Sequence, residues 1–307
     1  VNNVANKIVI FGVGLIGGSF ARALKQAGAA RSIVGMDRSP ASLQRALELG
    51  IIDAIGDGSE AGLAAAMQDA DLVLLAAPVA QTAAILAALL PHLGPRTVVT
   101  DAGSTKGDVA AAARAVLGDK LGRFVPGHPI AGRETNGPDA AIPNLYQGKK
   151  VVLTPLAENA EADVELVAAA WRACGAVIHR LSPEEHDKVF AAVSHLPHLL
   201  AYALVDDIAH KPHADLLFQY AASGFRDFTR IAGSSPEMWR DISLANRAAL
   251  LTELDAYLAQ LTTLRAQLAA GDGAALEAVY GNARHARERW IATIEAAEAP
   301  PAQDKTE

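Results

Sequence analysis

Over the first 180 residues, short runs of β-branched and aliphatic residues alternate with longer Ala/Leu-rich stretches. Short apolar runs bounded by glycine, proline or polar clusters predict buried strands, and stretches with apolar residues at helical spacing predict helices. The pattern predicts strands at Lys7–Phe11, Ser32–Met36, Asp71–Leu75, Thr97–Thr100 and Arg123–Val125, with a helix over Gly14–Gln26. Lys149–Thr154 and Ala176–Arg180 are expected to extend the same sheet around a helix at roughly Ala160–Ala173. Alternation of this kind builds an α/β domain, a parallel sheet with helices on its faces.

The pattern changes at Leu181. Ser182-Pro183-Glu184-Glu185 places a capping serine before a first-turn proline, with a glutamate three positions after the cap, a strong helix start. From there to about Ala296 only helices are expected. The division is therefore residues 1–181 as an α/β domain, 182–297 as an all-helical domain, and 298–307 as a disordered tail around Pro300-Pro301. Leu250, Leu254, Tyr257, Leu261, Leu264 and Leu268 form an apolar seam at spacings of four and three. Such a seam fits a core helix, a contact with a second copy of the chain, or both.

Composition narrows the function classes. A chain of 307 residues exceeds the usual size of a single core. A net charge of −7 and the lack of any basic block argue against nucleic acid as a partner. The single cysteine, Cys174, excludes an intramolecular disulfide framework and fits a reducing cytoplasm. No uninterrupted apolar run is long enough to suggest a membrane partner, and Ile8–Phe20 reads as strand–turn–helix rather than as a signal peptide.

Gly12-Val13-Gly14-Leu15-Ile16-Gly17 is a G-x-G-x-x-G motif between the first strand and first helix. The first glycine permits a tight turn, the second lets a pyrophosphate approach the backbone, and the third lets helix and strand pack closely. Asp37, at the end of the second strand, stands where a carboxylate binds a ribose 2′-hydroxyl. These residues, with Arg38 and with Ala77 and Pro78 after the third predicted strand, are the expected cofactor contacts of a Rossmann-type domain. Asp37 favours NAD. NADP stays open, because Arg38 would soften the repulsion of a 2′-phosphate.

Ligands of a parallel sheet lie beyond the carboxyl ends of its strands. Asp101-Ala102-Gly103-Ser104-Thr105-Lys106-Gly107 and Gly127-His128-Pro129-Ile130-Ala131-Gly132 should emerge at that edge. His128, placed on a loop, can take a proton from a substrate hydroxyl as hydride leaves the adjoining carbon, and Ser104 could orient the imidazole or the nicotinamide amide. With an ordinary imidazole pKa near ~6.5, activity would rise with pH through that region. His195 and His198 lie three apart on a helix, but no third ligand has the usual zinc spacing, so no metal is expected.

The segments Ile8–Phe20, Asp101–Gly107 (DAGSTKG), Gly127–Glu134 (GHPIAGRE), Ser194–His198 (SHLPH) and Gly224–Asp241 occur in this order across nearly the whole chain. Together they resemble the prephenate/arogenate dehydrogenase family of tyrosine biosynthesis. The resemblance implies NAD-dependent oxidative decarboxylation of prephenate to 4-hydroxyphenylpyruvate, of arogenate to tyrosine, or of both. It implies that His128 acts at the ring hydroxyl with help from Ser104, and that Arg230 binds a substrate carboxylate. It also places Glu134 near the site entrance and His198 and Trp239 around the substrate, and it implies a cytoplasmic homodimer joined through the helical domain. A related two-domain NAD(P)-dependent hydroxy-acid or imine reductase is the alternative. The two expected domains leave no room within these residues for a fused mutase or regulatory domain, so any inhibition by tyrosine is expected to be competitive.

Overall fold

The computed structural model describes residues 3–133 and 135–298. Glu134 and nearly all of the expected tail lie outside the described residues. Six parallel strands, β1 (Ala5–Phe11), β2 (Ala30–Met36), β3 (Ala54–Ile55), β4 (Leu72–Leu75), β5 (Val98–Asp101) and β6 (Phe124–Val125), form one sheet in the order β3-β2-β1-β4-β5-β6. The order reverses between β1 and β4, the crevice at which doubly wound sheets bind dinucleotides.

The twofold alternation of side chains along each strand fills two cores. Ile8, Ile10, Leu72, Leu74 and Val98 face one side, with α1 (Leu15–Gln26) and residues such as Phe20, Tyr146 and Trp171. Val9, Val73, Leu75 and Val99 face the other. There they meet α3 (Glu60–Met67), α4 (Thr82–Leu89) and α5 (Gly107–Leu117), while α2 (Pro40–Glu48) starts on the Ser39 hydroxyl, which accepts from Ser42 N–H. Both faces of the strands are apolar, so the strands read as continuous hydrophobic runs.

The expected extension of this sheet is corrected. Strands β7 (Gly127–Pro129), β8 (Lys150–Leu153) and β9 (Val177–Arg180) make a separate three-stranded sheet, with β7 antiparallel to β8 and β8 parallel to β9. Pro126 stands between β6 and β7 and has no N–H for a ladder, so the first sheet ends there and the chain turns into the second. His128 accordingly sits on a strand rather than on a loop. Helix α6 (Glu161–Ala173) joins β8 to β9 and buries Trp171 against Phe20 and Tyr146.

Among the described residues, helices alone follow. Helix α7 (Pro183–Phe190) begins with a complete capping box between Ser182 and Glu185. It runs through a π-helical turn, Ala191–His195, into α8 (Leu196–Ala209). Pro197 has no N–H to offer to the preceding turn, which favours such a wide turn. By length and mean apolar composition the helical run Pro183–Ala209 would suffice to cross a membrane. Charged residues, histidines and a serine interrupt it, in keeping with the expectation of no uninterrupted apolar run. Its His186, Asp187 and His195 are bonded to other parts of the fold. The chain continues through α9 (Ala214–Gln219), α10 (Ser223–Thr229), α11 (Pro236–Ala245), α12 (Arg247–Ala270) and α13 (Gly273–Glu298).

Two compact units divide after Leu250. The first holds both sheets and the helices through the start of α12. In the second, Leu251, Leu258, Leu261, Leu268, Tyr280 and Trp290 are exposed. Along the seam, Leu250 is buried, Leu254, Tyr257 and Leu264 are half-buried, and Leu261 and Leu268 face outward.

Candidate active site

The ends of β1, β2 and β4 open on a cleft of about 560 Å3 lined by Gly12, Gly14, Asp37, Arg38, Ala77 and Pro78, and deeper in by Leu63 and Ile85. Gly12 has φ +91°, and a Cβ there would meet the Ala76 carbonyl oxygen at 2.5 Å. A Cβ at Gly17 would lie 2.0 Å from the Gly12 carbonyl oxygen. At Gly14, by contrast, only Gly137 N stands within reach, at 3.9 Å. The loop is therefore closed on its protein side and open where a phosphate would approach. Helix α1 has no side-chain cap, leaving its first N–H groups for an anion.

Asp37 is held by its own hydrogen bonds. Its carboxylate accepts from Val13 N–H at 3.1 Å and Ser39 N–H at 2.9 Å, which fixes it at the cleft wall. Leu15 and Gly17 are buried, and the Ile16 carbonyl accepts from the Tyr146 hydroxyl at 2.6 Å. What these three can offer a ligand is backbone N–H rather than side chain. The cleft size, the glycine geometry and the fixed carboxylate fit a dinucleotide.

The catalytic candidates gather beyond the neighbouring strands. Lys106, fully buried, pairs with Asp101 at the end of β5 and donates to the Gly127 carbonyl at 2.8 Å. Asp101 also accepts from Gly127 N–H at 3.0 Å and Gly103 N–H at 2.8 Å. This buried ion pair ties the Asp101–Gly107 segment to the start of β7 and so sets the position of His128.

His128 Nδ1 lies 2.8 Å from His186 Nε2, and His186 Nδ1 lies 2.8 Å from the Asp187 carboxylate. Asp187 accepts in addition from Lys106 N–H and Gly107 N–H, both at 2.8 Å, at the start of α5. Burial, with His186, Lys106 and His195 nearby, holds the His128 pKa well below 6.5. The imidazole is therefore neutral. The expected rise of activity near an ordinary histidine pKa is corrected accordingly: desolvation disfavours the imidazolium.

Ser104 is half-buried on the same segment, but His128 is held by His186 and not by the serine hydroxyl. Instead the backbone of Ser104 bonds to His195, whose pKa is pushed down to about 4, mainly by burial. Asn246 donates both to the Asp187 carbonyl, at 2.7 Å, and to His195 Nδ1, at 3.1 Å. His195, His186, Asp187, Lys106 and Asn246 were not among the expected site residues. Lys106 and His195 lie inside the motif segments Asp101–Gly107 and Ser194–His198, while for His186 and Asp187 the signal was an adjacent His-Asp pair just after the capping box, which no spacing rule singles out.

His198 faces elsewhere. Its Nδ1 donates to the Ser194 carbonyl at 2.9 Å, and its ring stacks on Trp239 with centroids 3.5 Å apart. The pKa of His198 is lowered by burial and by the positive charge of Arg230. The Trp239 ring also meets His195 edge-on at 6.1 Å. A chain of contacts thus leads from Ser104 through His195 and Trp239 to His198, which senses the charge of the exposed Arg230. Trp239 lines a second cleft of about 210 Å3 with Leu199, Tyr202 and Arg240. Helix α11, which carries it, packs on the turn at Val79–Gln81 beside Pro78 of the larger cleft.

Comparisons with known proteins identify the family. Residues 20–180 match the family model "Prephenate dehydrogenase, nucleotide-binding domain", and residues 182–281 match "Prephenate dehydrogenase, dimerization domain". The cyclohexadienyl dehydrogenase of Zymomonas mobilis is 38% identical over 88% of this chain and 91% of its own. The prephenate dehydrogenase of A. aeolicus, solved with hydroxyphenyl propionate and NAD+, superposes with a TM-score of 0.83 at 39% identity, covering 95% of this chain and 98% of that one. Synechocystis arogenate dehydrogenase superposes with a TM-score of 0.77 at 30% identity, over 92% and 99%. With both halves matched and so much of each relative covered, the chain belongs to the prephenate dehydrogenase family.

Proposed function

We propose that this NAD-dependent oxidoreductase oxidises and decarboxylates prephenate, arogenate or both. The observation that carries the reading is a neutral imidazole, His128, on β7 and tied through Gly127 to Lys106 and to Asp101 at the carboxyl end of β5, the strand beside β4 of the dinucleotide cleft. Family membership favours this reaction over the related hydroxy-acid or imine reduction.

Gly12, Gly14, Asp37, Arg38, Ala77 and Pro78 would hold the dinucleotide, with the N–H groups of Leu15, Ile16 and Gly17 toward its phosphates. When bound, NAD+ supplies the hydride acceptor. His128 takes the proton of the ring hydroxyl as hydride leaves the carbon bearing it. Loss of CO2 then sends the bonding electrons through the ring to that oxygen, which recovers the proton as a phenol. Ser104 stands on the adjoining segment to assist at the hydroxyl.

The substrate is an anion and the protein carries a net charge of −7, so a local cation is needed. Arg230 serves as the carboxylate clamp, near the His198–Trp239 stack, whose Trp239 lines the smaller cleft. Glu134 is assigned to the entrance from its place in the sequence alone. The exposed apolar side chains from Leu251 to Trp290, within or beyond a segment whose family model is a dimerization domain, support a homodimer formed by the helical domain, residues 182–297. The buried free cysteine and the nature of the reaction support a cytoplasmic location.

The test is absorbance at 340 nm with each pairing of prephenate or arogenate with NAD+ or NADP+. Turnover is expected with NAD+ and at least one of the two substrates, and silence in all four pairings would refute the assignment. Arg230→Ala should raise KM by about 10–100-fold, the worth of one charged hydrogen bond, with a smaller change in kcat. An unchanged KM would show that another cation holds the carboxylate.

A further inference from the structure

The ring of His128 is met by His186 of α7, 58 positions further along the chain, and His186 in turn by its neighbour Asp187. We infer that His186 and Asp187 are positioning residues whose hydrogen-bonded chain locks His128 in the tautomer with Nδ1 protonated and Nε2 free to act as the base. The inference rests on the proposed role of His128 and deepens it.

Asp187 is ionised, its pKa held low by His186 and by the N–H groups of Lys106 and Gly107. Those N–H groups belong to the start of α5, where the helix dipole also favours negative charge. An ionised carboxylate can only accept. The His186 proton must therefore sit on Nδ1 to make the 2.8 Å contact. His186 is itself kept neutral, its pKa lowered by burial against the opposing pull of Asp187, so its Nε2 carries a lone pair. The contact of 2.8 Å between that nitrogen and His128 Nδ1 then requires the proton on His128 Nδ1. His128 is left with a lone pair on Nε2.

The surroundings support this order. Around the His186 ring stand His128 of β7, Asp187 of its own helix, Phe190 one turn on, Asp101 at the end of β5 and Lys106 at the start of α5. Asp108 of α5 and His195 lie close enough to Asp187 to act on it or be acted on by it. Phe190 packs against both imidazoles, at 4.9 Å from His128 and 4.5 Å from His186, which restrains both rings from turning. Asn246 pins the backbone of Asp187 through its carbonyl. Every lone pair and proton in the chain from the α5 terminus to His128 Nδ1 thus has one consistent assignment.

The first test needs no turnover. In protein labelled with 15N-histidine, long-range 1H–15N correlation near neutral pH reads the tautomer of each ring, with His128 and His186 identified by the signals missing from H128N and H186Q. Both rings are expected to be protonated on Nδ1 and bare on Nε2. A His128 protonated on Nε2 overturns the inference. The second test is kinetic. H186Q places an amide oxygen near the position of Nε2 and should keep kcat within about tenfold of the parent, in the range of one neutral hydrogen bond. H186F fills the space without an acceptor and should lose about 10²-fold or more in kcat, with the KM for NAD+ unchanged. Equal losses in H186Q and H186F, or none in H186F, overturn the inference. If H186F does not fold, the tautomer spectrum and H186Q decide. A parent enzyme inactive on both substrates would sink the proposed reaction while leaving the ring tautomers readable, so the two failures are distinct.

Discussion

The dinucleotide cleft and the histidine cluster lie on the same edge of one sheet, yet they are built from different materials. The cleft is made of backbone: glycines with no room for a Cβ on one side, free N–H groups on the other, and one aspartate bonded to residues close in sequence or across the first βαβ unit. The cluster is made of side chains from β5, β7, α7, the π turn and the end of α11, and it includes a buried ion pair. Backbone sites depend on local shape and tolerate change at the surrounding side chains. A network of buried polar groups is held by mutual satisfaction, and losing one member strands the others.

That contrast is broken most sharply at His128. His128→Ala should lower kcat by about 10²–10⁴-fold, the range for a general base, while NAD+ still binds with near-parent affinity because the cleft is untouched. Stopped-flow or steady-state absorbance at 340 nm with a parallel NAD+ titration checks it. A variant that retains kcat removes the residue from the mechanism.

Next in size is Lys106→Met, which leaves Asp101 buried without its partner. Unfolding free energy should drop by about 3–5 kcal/mol, measured by urea titration. A loss under 1 kcal/mol would mean that Gly103 N–H and Gly127 N–H suffice for the carboxylate. On the cleft side, Gly17→Ala forces a methyl against the Gly12 carbonyl and Ile10. It should cost about 1–3 kcal/mol and weaken NAD+ binding together with stability. Lowered stability with intact NAD+ affinity would show that the phosphate loop can shift without losing its function.

The smallest effect is the one pH measures. His128 must be neutral to accept a proton, and burial favours the neutral ring below 6.5. The rate should therefore stay level as pH falls from 8 through 6.5 and decline only in more acid solution. A half-maximal rate at or above 6.5 would mean a ring more open to water than this fold makes it.

Much of the fold is legible along the chain because its strands are buried on both faces and its helix starts are chemical. The runs at Ile8–Ile10, Leu72–Leu75 and Val98–Thr100 and the Ser182–Glu185 box each carry their own signal. The short strands Ala54–Ile55 and Gly127–Pro129 do not, since neither is an apolar run like Phe124–Val125 and so short a stretch has no period. The split into two sheets was hidden for the same reason: Pro126 marks a break but does not say where the chain goes next.

What the amino-acid order determined alone was the material of the cleft: three glycines at a strand–helix turn and an aspartate at the next strand end. Those features are local, so nearest neighbours in the chain suffice to shape them. Only the tertiary structure decided what stands behind His128. His186 and Asp187 reach it because β7 and α7 pack together around the end of β5, and their protons take one arrangement because water is excluded there. Desolvation is a property of the packed interior, and no window of sequence contains it.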